Sequence, residues 1–382
     1  MKKLLIVHNR YQNIGGEDIA VENEIRFLKK YFEIEALYFD NHINSYLSEL
    51  KSLFFSNNKD STNKLKQKLK SFNPDVVYVH NTWFKASLGI FNFLEKEKFD
   101  VMIKIHNFRY FCTRTMSSKK HIQNDKVCLA CGYKPRKYSY FNKYFKESFL
   151  KSFFVLMYGK KYFKILKNPR IKLILLTKFH QNFINNIGNF ESQIFHFPNP
   201  MNIPEKIDED KENYIFYGGR ISEEKGVDKL IQSFIDSNLI DTKLKIAGDG
   251  PLLSYLKNQY SNFENIEFLG LKTNQEVLNI IKKSTAVVTA TKLYEGQPTL
   301  LCEASLLGVP SVFPLTGGIE EYFPKNYKLS FEQFNYEDLT KKLTLIENHD
   351  FITQIGEDNK KFITEYLNEE KLINNFYEII NA

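Results

Sequence analysis

Two successive series of short apolar segments, each alternating with helical stretches, constrain the fold of this chain most strongly. The first series begins at Leu4–Val7 and the second at Tyr214–Tyr217. Strands that alternate with helices form a parallel sheet covered by helices. Between the series, the segment Phe197–Pro204 carries three prolines and is followed by the acidic stretch Glu205–Glu212, which predicts a linker. A chain of 382 residues also exceeds the usual size of one domain, so we expect two α/β domains.

The individual strand and helix candidates follow from the positions of the apolar runs. Strands of the first series are expected at Leu4–Val7, Ile34–Tyr38, Val76–Val79, Val101–Ile105 and Leu173–Leu176. Strands of the second series are expected at Tyr214–Tyr217, Leu244–Ala247, Ile266–Leu269, Ala286–Thr289 and Ser311–Phe313. The end of the chain, Asp350–Ala382, is expected to be helical, with an apolar stripe formed by Phe362, Tyr366, Ile373, Phe376 and Ile380.

Two glutamates with seven residues between them, Glu295 and Glu303, lie between the runs Ala286–Ala290 and Leu307–Phe313. The order strand, loop, helix, strand places Glu295 before a helix and Glu303 inside it. The N-terminus of that helix points at the carboxyl edge of the sheet, where open α/β sheets bind ligands and free N–H groups attract anions. We expect one carboxylate to hold sugar hydroxyls and the other to hold a ribose.

This arrangement resembles the E-x7-E element of family 4 retaining glycosyltransferases. Further elements of that family appear upstream in the same order, at Tyr217–Gly226, Ala247–Pro251 and Phe268–Gly270. The resemblance implies an α/β fold of GT-B architecture, with two Rossmann-like parallel-sheet domains facing a cleft and a C-terminal helix returning to the N-terminal domain. The expected domains are an acceptor-binding domain at 1–203 with an insertion at about 110–170, a nucleotide-sugar-binding domain at 204–364 and the helix 365–382.

The phosphate end of a nucleotide-sugar donor needs positive charge, because negative charge grows on the leaving diphosphate. The only Asp-x-Asp, Asp208-Glu209-Asp210, lies in the polar linker, so we expect no metal and assign this work to cations. Arg220 and Lys225 occupy the positions with which the resembling family grips the diphosphate. The remaining residues expected to bind the donor in this domain are Gly219, Gly296, Gln297, Pro298, Thr299, Leu300 and Glu303.

The first domain offers a diglycine and three histidines at its expected strand ends. Gly15-Gly16 lies between a strand and a helix, where glycine permits close approach of a ligand or simply a tight turn. His8-Asn9, His80-Asn81 and His106-Asn107 each follow an expected strand. His106 resembles the family's active-site histidine, which contacts the transferred sugar. The resemblance therefore implies His106, Glu295, Arg220 and Lys225 as catalytic residues and Gly15 and Gly16 as donor-binding residues.

The four cysteines do not form a disulfide framework for a chain of this length, and they fit a reducing cytoplasm. Cys112, Cys128 and Cys131, with His121 or His106, could supply a zinc site, although three cysteines are one ligand short of a thiolate set. The apolar run Leu4–Val7 is too short for a signal peptide, and no window is long enough to span a membrane.

The segment Tyr133–Lys178 is strongly basic, with Glu147 the only acidic residue between Lys134 and Lys178. Phe141, Phe145, Phe149 and Phe153 recur at helical spacing, so one helix face would be aromatic. Such a helix either lies on an anionic membrane surface or packs its aromatic stripe on its own sheet. Nucleic acid is the least favoured partner, because no nucleic-acid motif accompanies the basic residues.

These features predict a cytoplasmic or peripheral-membrane, metal-independent hexosyltransferase that needs no cofactor. Its donor would be a UDP- or GDP-sugar, and its acceptor a glycan or lipid-linked oligosaccharide in bacterial surface polysaccharide (capsule or lipopolysaccharide) biosynthesis. Two alternatives stay open: a non-catalytic GT-B subunit that supports a partner transferase, and another GT-B enzyme such as a phosphorylase or an epimerase. The sequence does not identify the donor sugar, because Gln297-Pro298 stands where the family pattern often has an aromatic residue.

Overall fold

A computed structural model describes residues 1–10, 15–41, 56–108, 149–187, 190, 193–201 and 210–382. The chain divides into two compact units. The first comprises Met1–Met201 together with Glu369–Ala382, and the second comprises Asn202–Asn368. Most of the expected linker, at residues 202–209, lies outside the described residues.

The first unit contains a six-stranded sheet in which every neighbouring pair of strands is parallel. Its strands are β1 (Lys3–Arg10), β2 (Glu33–Asp40), β3 (Val76–Asn81), β4 (Asp100–Ile105), β5 (Ile171–Leu175) and β6 (Ile194–His196). They lie in the order β2-β1-β3-β4-β5-β6. The central strands are buried along most of their length and begin with apolar runs, as expected when helices cover both faces of a parallel sheet.

Helices connect these strands. They are α1 (Gly16–Leu28), α2 (Lys59–Phe72), α3 (Gly89–Lys96), α4 (Phe149–Leu166) and α5 (Lys178–Ile187). α1 begins directly after β1, and the Asp18 side chain accepts a hydrogen bond from the backbone N–H of Gly15, which fixes the start of the helix. This start lies beside the carboxyl end of β1.

The second unit repeats the plan with six further parallel strands. They are β7 (Tyr214–Gly218), β8 (Lys243–Ala247), β9 (Ile266–Gly270), β10 (Ala286–Val288), β11 (Ser311–Leu315) and β12 (Ser330–Glu332). Their order is β12-β11-β10-β7-β8-β9. The helices are α6 (Val227–Asp236), α7 (Leu253–Gln259), α8 (Asn274–Lys283), α9 (Thr299–Leu306), α10 (Tyr336–Thr344) and α11 (His349–Tyr366), with short 3-10 turns at Glu223–Lys225, Ile319–Tyr322 and Leu345–Glu347.

The last helix, α12 (Glu369–Asn381), packs on the first unit, as the resemblance implied. The ring of Phe376 contacts Phe32, Tyr78 and Phe197 at centroid distances of 5.5, 5.9 and 5.0 Å. At the start of α12, the carboxylate of Glu369 accepts hydrogen bonds from Lys30 and Tyr31. A buried aromatic side chain and a surface ion pair therefore both attach α12 to the first unit.

The chain end consists of two helices, and the expected C-terminal helix 365–382 begins at Glu369. α11 ends at Tyr366 and α12 begins at Glu369, so the apolar stripe divides between the two units. Tyr366 packs in the second unit against Tyr322, at a ring-centroid distance of 5.4 Å, whereas Phe376 is buried in the first. The apolar spacing alone carries no sign of this division. The three-residue strands β6 and β12 were not expected from the sequence.

Candidate active site

The candidate site of the second unit lies where the order of its strands reverses. β7 and β10 are neighbours in the sheet, although 67 residues separate Gly218, the end of β7, from Ala286, the start of β10.

 The 67 connecting residues run from 219 to 285, so β7 and β10 meet only in the folded unit. Because the two strands are parallel, the loops that follow them leave the sheet at the same edge. Ligands of doubly wound sheets bind in the crevice at such a reversal point. Arg220 and Lys225 lie in the loop after β7, and Glu295 lies in the loop after β10.

The side chains of Lys225 and Glu295 form an ion pair across this point. Lys225 Nζ donates to Glu295 Oε1 at 2.5 Å, and Thr291 Oγ1 donates to the same oxygen at 3.0 Å. The two charged side chains are 30% and 26% exposed, so a ligand can reach both while water screens them only partly. The structure therefore brings together the predicted phosphate-binding cation and the predicted sugar-binding carboxylate.

Glycines allow the backbones of these loops to approach each other. Gly226 has φ +67°, and a Cβ there would lie 2.1 Å from the carbonyl oxygen of Ala290. Gly317 has φ +61°, and a Cβ there would lie 2.5 Å from the backbone nitrogen of Glu295. The neighbouring Gly318 donates its N–H to the Glu295 carbonyl at 2.8 Å. Any larger residue at Gly226 or Gly317 would displace the loop that carries Glu295.

Arg220 is exposed at the same edge, and within residues 210–382 its side chain makes no hydrogen bond or ion pair. The backbone of Arg220 is held in place, because the hydroxyl of the buried Tyr217 donates to the Arg220 carbonyl at 3.0 Å. Gly219, with φ +152°, permits this turn and donates its N–H to the Ala247 carbonyl. Burial, together with the charges of Glu295 and Glu224, raises the pKa of Tyr217, which therefore acts as a neutral hydrogen-bond donor.

The predicted donor-binding residues Gly296, Gln297 and Pro298 are buried immediately before α9, and Thr299 and Leu300 form its half-buried first turn. No side chain caps this helix, and its first turn contains no acidic residue. The free N–H groups and the positive end of the helix dipole consequently remain available to an anion. Leu300 also lies close to the end of β7, since a Cβ on Gly218 would be 3.2 Å from its Cδ1.

Glu303 is 9% exposed and lies in the second turn of α9. Among residues 210–382 its carboxyl group has no hydrogen-bond or ion-pair partner. Burial raises its pKa to about 7, because the charged form loses hydration without gaining a compensating contact. A buried carboxyl group in this state is suited to accept hydrogen bonds from hydroxyl groups of a ligand.

The histidines of the first unit lie on adjacent strands, because β1 neighbours β3 and β3 neighbours β4. The rings of His8 and His80 are 6.3 Å apart, and those of His80 and His106 are stacked at 5.2 Å. His80 Nδ1 and His106 Nε2 share a hydrogen bond of 2.9 Å. Burial, followed by nearby positive charges, lowers the pKa of His80 and of His106 well below the usual value, so both rings are neutral.

The diglycine is connected to the first of these histidines. His8 Nε2 lies 2.8 Å from Asp18 Oδ1, and Asp18 Oδ2 accepts the Gly15 N–H at 2.9 Å. A Cβ on Gly16 would have no described atom within 4 Å, so packing within the described residues does not require glycine there. His8 thus supports the start of α1, and Gly16 leaves space at the same edge.

The asparagines that follow the histidines have structural partners. Asn9 accepts the Ala86 N–H at 2.9 Å, and Asn81 accepts the Trp83 N–H at 2.9 Å. Asn107 donates to Glu17 of α1 at 3.1 Å. Asn9 and Asn81 therefore stabilise the loop after β3 by accepting hydrogen bonds from its backbone.

A buried ion pair lies close to the histidines, and it was not anticipated from the sequence. Lys104 of β4 and Glu24 of α1 are both fully buried and lie 2.6 Å apart. The Tyr78 hydroxyl donates to the same carboxylate at 2.7 Å. Lys104 precedes His106 by two residues in β4, so the two side chains share one face of the sheet. The only available sequence signal was a lysine within an otherwise apolar strand.

Other contacts of the site were not anticipated from the sequence either. Thr291 and Gly317-Gly318, which hold Glu295, were not singled out, although a diglycine after a strand is the same signal that identified Gly15-Gly16. The Tyr322 hydroxyl, which donates to Gln297 at 3.3 Å, had no distinguishing pattern.

Several predictions fall wholly or partly outside the described residues. Cys112, Cys128, Cys131 and His121 are among them, as are Phe141 and Phe145, so the zinc and aromatic-stripe hypotheses stay predictions. Within the described residues, no group of three or more His, Cys, Asp or Glu side chains could hold a metal ion. No helix in the described part of the chain is long and apolar enough to cross a membrane.

Similarity to solved structures identifies the fold class as GT-B. Sucrose-phosphate synthase from Thermosynechococcus elongatus superposes with a TM-score of 0.73 at 11% identity, covering 100% of this chain and 98% of that one. Anabaena HepE in complex with UDP and glucose superposes with a TM-score of 0.70 at 13% identity, covering 100% of both chains. At such low identities these likenesses establish the fold alone.

Sequence comparison shows which protein family and which proteins the chain is similar to. Residues 201–365 match the family "Glycosyl transferases group 1". An uncharacterized glycosyltransferase of Methanocaldococcus jannaschii is 28% identical over 212 residues, which are 54% of this chain and 59% of that protein. The amylovoran biosynthesis glycosyltransferase AmsD of Erwinia amylovora is 23% identical over 150 residues, which are 37% of this chain and 42% of that protein. The chain thus spans about half the length of these relatives.

Proposed function

We propose that the protein is a retaining, metal-independent glycosyltransferase that moves a hexose from a UDP- or GDP-sugar to a glycan or lipid-linked oligosaccharide. The arrangement of Lys225, Glu295 and Glu303 at the reversal point of the second sheet carries this proposal. It combines a cation for a diphosphate with two carboxylates for hydroxyl groups, beside a helix start that has no side-chain cap.

Each proposed role follows from one feature of the second unit. Lys225 and the exposed Arg220 stabilise the negative charge that develops on the leaving diphosphate. The N–H groups of the first turn of α9 bind the same anion. Glu303, buried and without a partner among residues 210–382, accepts the ribose hydroxyls, and Glu295 accepts hydroxyls of the transferred sugar.

The first unit is proposed to act on the sugar and the acceptor. His106 contacts the transferred sugar, and Gly15-Gly16 lies at the start of α1, where Gly16 leaves space for the donor. The assignment to surface polysaccharide synthesis is supported by the relative named for amylovoran biosynthesis and by the fold of the lipopolysaccharide outer core galactosyltransferase WaaB. That structure superposes with a TM-score of 0.61 at 17% identity, covering 98% of this chain and 99% of that one.

The test is a thermal-shift and calorimetric screen against UDP-, GDP- and dTDP-sugars in the presence of EDTA. We expect one donor class to raise the unfolding temperature, and slow hydrolysis or transfer to release the matching nucleoside diphosphate. Stabilisation by free phosphate and not by any nucleotide would instead indicate a phosphorylase. Binding of no nucleotide would contradict the proposal and favour a non-catalytic subunit.

A further inference from the structure

His80 shares its hydrogen bond with the proposed catalytic residue His106 in a way that restricts both rings. The atoms His80 Nδ1 and His106 Nε2 lie 2.9 Å apart, and the rings are stacked with an interplanar angle of 25°. One proton must lie between the two nitrogens, since two lone pairs would repel each other. His106 therefore has Nε2 engaged with His80 and only Nδ1 left for a ligand.

The burial of His80 indicates which ring supplies that proton. His80 is 5% exposed, and its second ring nitrogen, Nε2, is buried and has no hydrogen-bond partner among the described residues. If His106 donated to His80, the neutral His80 ring would carry its proton on Nε2, as a buried N–H without an acceptor. Unpaired buried N–H groups are rare in folded proteins. The alternative leaves only an unpaired acceptor at that atom, with the proton on Nδ1.

The surroundings keep both rings neutral. Burial is the largest cause that lowers the pKa of each histidine, and the positive charge of Lys104 and the proximity of His8 add to it. The carboxylates nearby are already bonded, Glu24 to Lys104 and Tyr78, and Asp18 to His8. A singly protonated ring has one N–H, so fixing the proton of His80 also fixes the proton of His106.

We propose that His80 is a positioning residue that donates from Nδ1 to His106 Nε2, holding His106 as the Nδ1–H tautomer with that N–H available to a ligand oxygen. His106 itself is half-buried. This inference rests on the proposed function for the role of His106 in transfer. The hydrogen bond and the tautomer are properties of the free protein and can be measured without a substrate.

The decisive experiment is nitrogen-15 NMR of the histidine rings in the full-length protein at neutral pH. Ring-nitrogen shifts and couplings distinguish Nδ1–H from Nε2–H, and His106→Gln assigns the signals by their loss. We expect His106 and His80 both to be Nδ1–H in the unsubstituted protein. An Nε2–H tautomer at His106 would overturn the proposal, and this measurement needs no variant that alters His80.

Two substitutions of His80 separate positioning from packing. The amide of His80→Asn can place an N–H near the position of Nδ1, whereas His80→Leu fills the space without a donor. We expect His80→Leu to lower kcat on the order of tenfold with KM little changed, and His80→Asn to recover most of it. The Nδ1–H signal of His106 should persist in His80→Asn and weaken in His80→Leu. Equal kinetics and an unchanged tautomer in folded His80→Leu would refute the role.

The two proposals can fail separately. If no donor supports transfer, the proposed function fails, while the tautomer measurement still decides the role of His80. If transfer occurs but His106 is Nε2–H, the proposed function stands and the inference about His80 is wrong.

Discussion

Lys225 and Glu295, which the sequence assigns to opposite ends of a sugar diphosphate, are bound to each other at 2.5 Å. A diphosphate that binds Lys225 must therefore compete with the carboxylate of Glu295. A complete donor compensates for the broken pair, because its sugar hydroxyls can take the place of Lys225 at Glu295. A nucleoside diphosphate without the sugar cannot do so. Under the proposed function, we therefore expect the pair to favour binding of the donor over retention of the product.

The first prediction concerns this competition. Glu295→Gln should bind free nucleoside diphosphate about fivefold more tightly, since Lys225 no longer has to leave an ion pair, while turnover falls on the order of 100-fold. Calorimetry with the nucleoside diphosphate measures the affinity. The control is a double-mutant cycle with Lys225→Gln, in which the tightening should disappear. Weaker binding by Glu295→Gln alone would show that the pair does not oppose the diphosphate.

The second prediction concerns the cations. Arg220→Gln and Lys225→Gln should each lower turnover on the order of 100-fold, because each removes positive charge from the developing anion. Initial rates with and without EDTA measure the effect, and the chelator should leave them unchanged. Lys243→Gln, at the exposed amino end of β8, is the matched control and should keep its activity. Full activity in the Arg220 and Lys225 double variant would remove both residues from the mechanism.

The parallel sheets and the loops of both sites could be predicted from the sequence, because each buried strand is a local apolar run and each loop follows one directly. The contact partners of the site residues could not be predicted from the sequence. Lys225 meets Glu295 only because β7 and β10 are neighbours, and Glu24 meets Lys104 only because α1 packs on β4. These pairings depend on strand order, which local spacing does not encode.

The third prediction concerns Glu303, whose pKa is raised by burial to about 7. A carboxyl group with a folded pKa above its unfolded value leaves the protein less stable as pH rises through that interval. Between pH 4.5 and 7 this group should therefore lower the free energy of unfolding, by about 3 kcal/mol in total. Glu303→Gln should match the unsubstituted protein near pH 4.5 and exceed it in stability at pH 8.

Urea unfolding at a series of pH values measures this difference, with Glu347→Gln as the control because Glu347 is exposed in the same unit. The same substitution should weaken binding of nucleoside diphosphate at pH 8, where the ionised carboxylate is the better acceptor of ribose hydroxyls. A stability difference that does not depend on pH would show that Glu303 is not buried as a titrating acid.

The last prediction concerns the basic segment, of which the structure describes the part from Phe149 onward. Tyr158, Tyr162 and Leu166 form the buried face of α4, so this part of the helix packs on its own unit. Lys160, Lys164 and Lys167 are exposed at helical spacing at the end of the same helix. Lysines near an anionic membrane each contribute roughly 1 kcal/mol, and the attraction fades within a Debye length.

Co-sedimentation with phosphatidylglycerol vesicles should therefore show binding at low salt, release at high salt and little binding to neutral vesicles. Replacing Lys160, Lys164 and Lys167 with glutamine should reduce low-salt binding on the order of tenfold or more, if only half of their summed attraction acts at once. The control carries the same change of charge at three exposed lysines of the second unit, Lys257, Lys341 and Lys361. Equal losses in the two triple variants would mean that net charge alone drives binding. No binding by the unsubstituted protein would leave the lysines of α4 as a solvated helix face.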